Sequence, residues 1–470
     1  MNERNTLLTG DLLATVGKLA ARPALFVDRD TTVMEAAREM TIHRVSSILV
    51  SGSPPGIVTD RDLRCRVLAD SLGPTVRVRE VMSCPLQTID AEATAFEALV
   101  RMMELRIHHL PVTDNGTIVG IVTSTDLMRH HLKSPLALLN RSERLVRPES
   151  YESYAHELTS MVDVLFRGGL DAARIAQLVS TIHDAVSQRL LRLAEEELGP
   201  PPTPYAWIVF GSEGRREQTL LTDQDNAIVM QESSAESKRY FHSLAQRVVQ
   251  GLNAIGVPPC SGGYMATGWC FSMAEWRQKF QGWIAEPNPK AILEASTFFD
   301  FRRIHGELSL GPLREVLLEA QDAKNFLAHM AQHAMSERPP LGFFSRVRED
   351  ADGVHLKDGG LYPIIHLARL HALEAGSTAC GTLERLEAAV EAGNLSRDGA
   401  DQLAEAFRFL LRLRLGHQLN LAHDGDMEMD KPLHLAELSS MEHRRLKEAF
   451  VTVRDMQDAV SSRFATDLLG

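Results

Sequence analysis

The chain has 470 residues, 44% hydrophobic and 24% charged, with a formal net charge of −12. That length exceeds what one hydrophobic core fills and implies about three domains of ordinary globular composition. No apolar run approaches the ~20 residues of a membrane span, and the N-terminal stretch is too polar for a secretory signal. The five cysteines are scattered, odd in number and without a C-x-x-C, which excludes a zinc ribbon or a disulfide framework and points to a cytoplasmic location with no membrane partner. Residues 1–150 carry 18 basic and 18 acidic residues, and the remainder 32 and 44. So acidic a second part has no overall attraction for a phosphodiester backbone, and nucleic acid is not an expected partner.

In chain order, the first feature is an internal repeat over residues 23–132. Pro23, Thr32, Glu35 and Met40 recur 62 positions later as Pro85, Thr94, Glu97 and Met102. The run Gly56-Ile57-Val58-Thr59-x-x-Asp62-Leu63 recurs 64 positions later as Gly120-Ile121-Val122-Thr123-x-x-Asp126-Leu127. Each copy predicts a helix (32–40, 94–103), a strand (47–50, 109–112), a turn, a second strand and a further helix. Thr59/Asp62 and Thr123/Asp126 suit two roles equally: a hydroxyl and a carboxylate can hold phosphate and ribose, or cap the helix that follows. The adjacent His108 and His109 point to opposite faces of a strand, which favours packing over metal binding. The repeat resembles a tandem pair of CBS domains. The resemblance implies an adenine nucleotide held at Thr59, Asp62, Thr123 and Asp126, and a homo-oligomer formed through the pair.

Residues 135–198 predict helices, with apolar residues at 158, 161, 162 and 165 and again at 175, 178, 179 and 182. Gly168-Gly169 separates them, and the proline cluster 200–204 ends the second. A linker, either passive or signal-carrying, is the expectation for 135–204.

The next stretch, WIVFGSEGRREQTLLTDQDNAIVM from Trp207 to Met230, organises the rest. An apolar strand runs into the sharp Gly211-Ser212 turn, a short polar helix is predicted over 213–220, and Asp223-Gln224-Asp225 leads into a second apolar strand. Residues i and i+2 of an extended segment share a face with Cα atoms roughly 6.5–7 Å apart, so Asp223 and Asp225 can aim at one place. Two such carboxylates suit a pair of divalent ions about 3.5–4 Å apart, and the turn offers N–H groups and a hydroxyl to phosphate. This segment resembles the G-S…D-x-D signature of DNA polymerase beta-like nucleotidyltransferases. It is most similar to a bacterial CBS-domain nucleotidyltransferase family related to PII uridylyltransferase.

That resemblance implies Mg²⁺-dependent transfer of a nucleoside monophosphate from an NTP (UTP or ATP). The acceptor it implies is a protein such as a PII-like regulator. Asp223 and Asp225 would hold two Mg²⁺ ions, and Gly211, Ser212, Arg215 and Thr222 would bind the nucleotide. A third carboxylate is sought on a later strand, and Asp300, in the strand-like run 296–303, is the candidate catalytic and metal residue. Glu217 is expected to pair with an arginine. The alternative is a nucleotide-sensing regulator whose catalytic domain does not transfer, against which the intact D-x-D weighs.

From about 311 to 470 the pattern is helical, with the loop 357–363 its one interruption carrying candidate chemistry; Lys357 or Arg369 is expected to reach a triphosphate. The fold class expected is thus multidomain α/β plus α. Its parts are a tandem CBS module (1–134), a helical linker (135–204), a nucleotidyltransferase α/β domain (205–310) and a helical, substrate-binding domain (311–470).

Overall fold

The computed structural model describes residues 14–20, 24–128, 154–220, 223–350, 352–426 and 430–464. The chain forms two compact units, Met1–Ala137 and Leu138–Gly470.

The first unit holds two three-stranded sheets. In one, β1 (Phe26–Val27) pairs parallel with β2 (Ser47–Val50), which pairs antiparallel with β3 (Gly56–Thr59). In the other, β4 (Ile89–Asp90), β5 (His109–Asp114) and β6 (Thr117–Thr123) repeat that order. The helices Val33–His43 and Ala95–Leu105 both begin with a reciprocal cap, Thr32 with Glu35 and Thr94 with Glu97, which explains why that pair recurs in the sequence. The two repeats exchange their leading segments. Thr15 bridges Thr94 and the Val16 N–H bonds to Ala93, whereas Thr32 bridges Arg77 and the Val78 N–H bonds to Thr31. Each repeat is therefore completed by a segment that lies just ahead of the other in the chain.

The second unit is built on a four-stranded sheet in the order β10-β7-β8-β9. β7 (Tyr205–Val209) and β8 (Asn226–Met230) are central, antiparallel and buried along their whole length, as their unbroken apolar runs require. β10 (Arg302–Gly306) pairs antiparallel with β7, and β9 (Cys270–Ser272) parallel with β8. Trp276, fully buried on helix Met273–Ala285, donates its indole N–H to the Ile228 carbonyl at 2.9 Å, stacks on Trp269 and meets Phe298 at a tilt. At about 25 cal/mol per Å², an indole of this kind contributes on the order of 4–6 kcal/mol of burial.

The helices Tyr154–Arg167 and Ala172–Leu198, expected as a linker, lie inside this unit. The longer one packs on helix Ala235–Ala254, on β10 and on helix Arg397–His423. Its buried residues include 175, 178, 179, 182, 186 and 190, the stripe read from the sequence. The part of that expectation over 135–153 falls outside the described residues. Helices Lys324–Ala334, Tyr362–Glu374, Thr382–Glu391, Arg397–His423 and Ser440–Phe464 form the C-terminal part.

One local expectation fails. Residues 296–303 are not a strand: helix Pro289–Phe298 runs through the first half, capped by Asn288, and β10 begins only at Arg302. Asp300 sits in the turn between them. Helix Pro289–Phe298 carries Pro289 at its first turn and the Asn288 cap, a start signal that outweighs the β-propensity of Thr297-Phe298-Phe299.

Candidate functional site

The site is assembled where β7 ends and β8 begins. After Val209, Phe210 donates its N–H to the Asp225 carbonyl, and the chain turns through Gly211 at φ +59°. A Cβ on Gly211 would stand 2.7 Å from Asp225 Oδ2, so the turn needs glycine both for its backbone angle and for the carboxylate beside it. The helix that follows is a single turn, Gly211–Gly214, shorter than expected, and Arg216 has φ +59°. Gly214 lies against the Asp300 carbonyl, which a Cβ would strike at 1.7 Å.

Beside the turn, Asp223-Gln224-Asp225-Asn226 runs extended, and its side chains alternate as a strand's must. Gln224 is buried and donates to the Val257 carbonyl at 2.8 Å and the Val249 carbonyl at 3.2 Å. Asn226 accepts from the Ala266 N–H at 2.9 Å. Asp223 and Asp225 take the other face and line a cavity of about 420 Å³. The cavity is also lined by Gly211, Ser212, Arg215, Glu217 and Tyr264 from the sheet side, and by His333, Lys357, Tyr362, His366 and Arg414 from the C-terminal helices. Thr222 falls outside the described residues.

The third member of the cluster is Cys260. Asp223, Asp225 and Cys260 each offer a ligand atom, all within 4.8 Å of one another, and among the described residues no other group of three or more His, Cys, Asp or Glu is so placed. Burial, and next the Asp223 carboxylate, push Asp225 up to about 7, against the opposing hydrogen bond from the Cys260 thiol. Burial pushes the Cys260 thiol up to about 11. Donors held 2.0–2.3 Å from one ion at octahedral or tetrahedral angles lie about 2.8–3.8 Å apart, so three donor atoms within 4.8 Å of one another are placed to converge on a single cation. The donor set and the glycine cradle fit a divalent ion.

Asp300 does not join them. It is fully buried and bonded to three guanidinium groups: Arg215 Nη1 at 2.5 Å, Arg369 Nη2 at 2.6 Å and Arg385 Nη2 at 2.7 Å. Burial alone would raise its pKa, but Arg369, Arg385 and Arg215 together hold it far below the carboxylate range. A carboxylate saturated in this way has no lone pair directed at a cation, which corrects the expectation of a third metal ligand there. Two further expectations change with it. Arg215 gives Nη1 to Asp300 and Nε to Glu217 at 2.7 Å, so it borders the cavity as part of a buried network rather than as a free phosphate contact. Arg369 likewise spends Nε and Nη2 on Asp300 and Nη1 on His366 Nδ1 at 2.8 Å. Glu217, paired with Arg215, also accepts from the Thr382 N–H at 2.6 Å and ties the turn to the C-terminal helices. Lys357 does reach the cavity; its ammonium lies 3.4 Å from Asp430 and over the Tyr362 ring.

Sequence reasoning missed Cys260, His333 and His366. The signal available for Cys260 was its place directly after Pro258-Pro259 and ahead of Gly262-Gly263; nothing local marks the two histidines. Burial and then Arg369 keep both imidazoles below their ordinary pKa.

In the first unit, Thr59 Oγ1 accepts from the Asp62 N–H at 3.3 Å, while Asp62 Oδ2 accepts from the Thr59 N–H at 3.0 Å and its hydroxyl at 2.7 Å. Thr123 and Asp126 repeat this box at 3.2, 3.0 and 2.6 Å. Of the two roles open to these pairs, helix capping is the one their contacts display. His109, half-buried, meets Ser46 Oγ of the other repeat at 2.8 Å, whereas His108 is exposed.

Comparison with known proteins agrees with this layout. Residues 16–68 and 78–133 match the family model described as "CBS domain". Residues 156–290 match "Putative nucleotidyltransferase DUF294", and 324–464 match "Putative nucleotidyltransferase substrate binding domain". The chain carries a CBS pair, a nucleotidyltransferase-like domain and a helical C-terminal domain. The match to the nucleotidyltransferase-like domain includes the helices 156–198 and stops before Asp300 and β10. The chain is 36% identical over 115 residues to a CBS domain-containing protein of Arabidopsis thaliana, covering 24% of this chain and 22% of that one. It is 32% identical over 120 residues to an uncharacterized protein of Methanopyrus kandleri, covering 24% of this chain and 61% of that one. The chain thus spans about a fifth of the plant relative's length. A solved CBS-domain protein of Burkholderia ambifaria is 29% identical, over 25% of this chain and 92% of that one, at a TM-score of 0.24. No described helix is long and apolar enough to cross a membrane.

Proposed function

We propose that the nucleotidyltransferase-like domain is an active enzyme that moves a nucleoside monophosphate from an NTP to an acceptor, under control of the CBS pair. The observation that carries this reading is the convergence of Asp223 and Asp225 on one face, bordering the same cavity as the Gly211-Ser212 turn beside them. Asp225 among like charges makes a field that a cation relieves, as a site built for divalent ions requires. Divalent ions bound there would neutralise charge on the triphosphate and lower the pKa of the acceptor hydroxyl. Ser212, with the turn, faces the nucleotide's phosphates, and Lys357 supplies a positive charge from the opposite wall. In the reaction an acceptor hydroxyl oxygen bonds to the α-phosphorus, the bond from that phosphorus to the α,β-bridging oxygen breaks, and pyrophosphate departs. The hydroxyl proton passes to solvent.

UTP or ATP as donor and a protein acceptor of the PII type are the finer parts of the proposal, drawn from the resemblance of the G-S…D-x-D segment. So is adenine-nucleotide control through Thr59, Asp62, Thr123 and Asp126. The test is incubation of the full chain with each NTP labelled at the α-phosphorus, a divalent cation and cell extract. Transfer of label to an acceptor, lost by at least a thousandfold in Asp223→Ala and Asp225→Ala, is the expected result. No label from any NTP, together with adenine-nucleotide binding, would instead favour a sensor.

A further inference from the structure

Beside the two aspartates lies a thiol and not a third carboxylate, and this alters which cation the site suits. Cys260 is placed by the backbone and not by chance of rotamer. Gln224 donates its N–H to the Pro258 carbonyl at 3.0 Å, and a parallel bridge joins Gln224 to Pro259, so the residue after Pro259 runs alongside Asp225. The Cys260 carbonyl accepts from the Gly263 N–H at 3.1 Å, closing a tight turn behind it. A Cβ on Gly262 would approach the Tyr264 ring at 3.1 Å and Cys260 Sγ at 3.6 Å, so the loop is packed down onto the sulfur. The sulfur and the two carboxylates border the cavity together.

We propose that Cys260 is a third ligand of the Asp223/Asp225 site and makes it prefer a softer dication such as Co²⁺ or Zn²⁺ over Mg²⁺. This rests on the reading of the aspartate pair as a cation site. Its physical basis is ligand softness. Mg²⁺ takes oxygen donors and keeps its waters, so a sulfur beside it contributes nothing; the softer dications accept sulfur, with bonds near 2.3 Å for zinc. Asp300, the carboxylate expected as a third oxygen donor, is occupied by three arginines.

Cobalt serves as the probe, because a sulfur ligand gives Co²⁺ an intense near-ultraviolet charge-transfer band that oxygen ligands do not. The full chain, stripped with a chelator, is titrated with Co²⁺ and then with competing Mg²⁺. The expected result is a charge-transfer band in the native chain that is lost in Cys260→Ser and in Asp225→Asn. The Co²⁺-over-Mg²⁺ preference should also fall at least tenfold in Cys260→Ser. In the native chain, Zn²⁺ should slow alkylation of Cys260, followed by peptide mapping, at least tenfold more than equimolar Mg²⁺ does. Co²⁺ binding that depends on Asp225 but shows no band, or an unchanged band in Cys260→Ser, overturns the thiol ligand and leaves the aspartate site standing. Absence of any Asp225-dependent dication binding overturns both. The alkylation measurement uses the unaltered chain and so decides the matter even if a variant fails to fold.

Discussion

Two aspartates of the second unit have opposite surroundings. Asp225 faces Asp223, borders open space, and is pushed up to about 7 by burial and its like-charged neighbour. Asp300 is sealed off and held far below the carboxylate range by Arg369, Arg385 and Arg215, which outweigh the cost of its burial. An uncompensated negative field beside a cavity calls for a cation from solution. A negative charge already matched by guanidinium groups holds protein elements together, here the turn after β7 and two C-terminal helices. Residue type does not distinguish the two; the sign of the neighbours does.

The sharpest way to break this contrast is to neutralise each in turn and measure stability by denaturant midpoint. Asp300→Ala leaves three buried guanidinium groups without their carboxylate and should cost about 3–5 kcal/mol. Asp225→Asn removes a like-charge repulsion and should hold or raise the midpoint while abolishing transfer. Equal destabilisation by both would refute the distinction.

A buried titratable group with no ion beside it sharpens the comparison from another side. Burial on helix Ala172–Leu198 takes His183 from its usual 6.5 down to about 4. The unfolded chain binds a proton near 6.5 and the folded chain only near 4, so the folded form binds fewer protons between those values. Stability present above pH 6.5 should therefore decline by about 3 kcal/mol as pH falls towards 4. His183→Leu should flatten that slope, as read by urea unfolding across this range.

Gly211 tests the cradle. Gly211→Ala forces a methyl against Asp225 Oδ2 at φ +59°, and displacement of a reacting group by even 1 Å costs about a hundredfold in rate. Transfer activity should fall by that order while β7 and β8, buried on either side, keep the fold; unchanged activity would mean Asp225 Oδ2 is not engaged. The smallest effect is expected in the first unit, where Asp62 and Asp126 are satisfied by their own threonines. Thr59→Ala or Thr123→Ala should each cost about 1 kcal/mol in thermal unfolding, the usual value of a helix cap.

The repeat, the apolar strands β7 and β8, the G-S turn and the alternation that sets Asp223 and Asp225 on one face were legible in the residues. All of these depend on neighbours a few positions apart: period-two alternation, a glycine at a turn, a threonine three residues before a carboxylate. The role of Asp300 was not legible, because its three partners come from 85 and 69 residues away in the chain and, in Arg385, from a third element. Nor was Cys260, which meets Asp225 only because Pro259 pairs with Gln224 across the sheet edge. Local order follows from short-range sterics and hydrogen bonding, which a sequence displays directly. Which charge faces which is settled when distant segments pack, and that is why a carboxylate expected to hold metal became a clasp and a cysteine came to lie beside the aspartate pair.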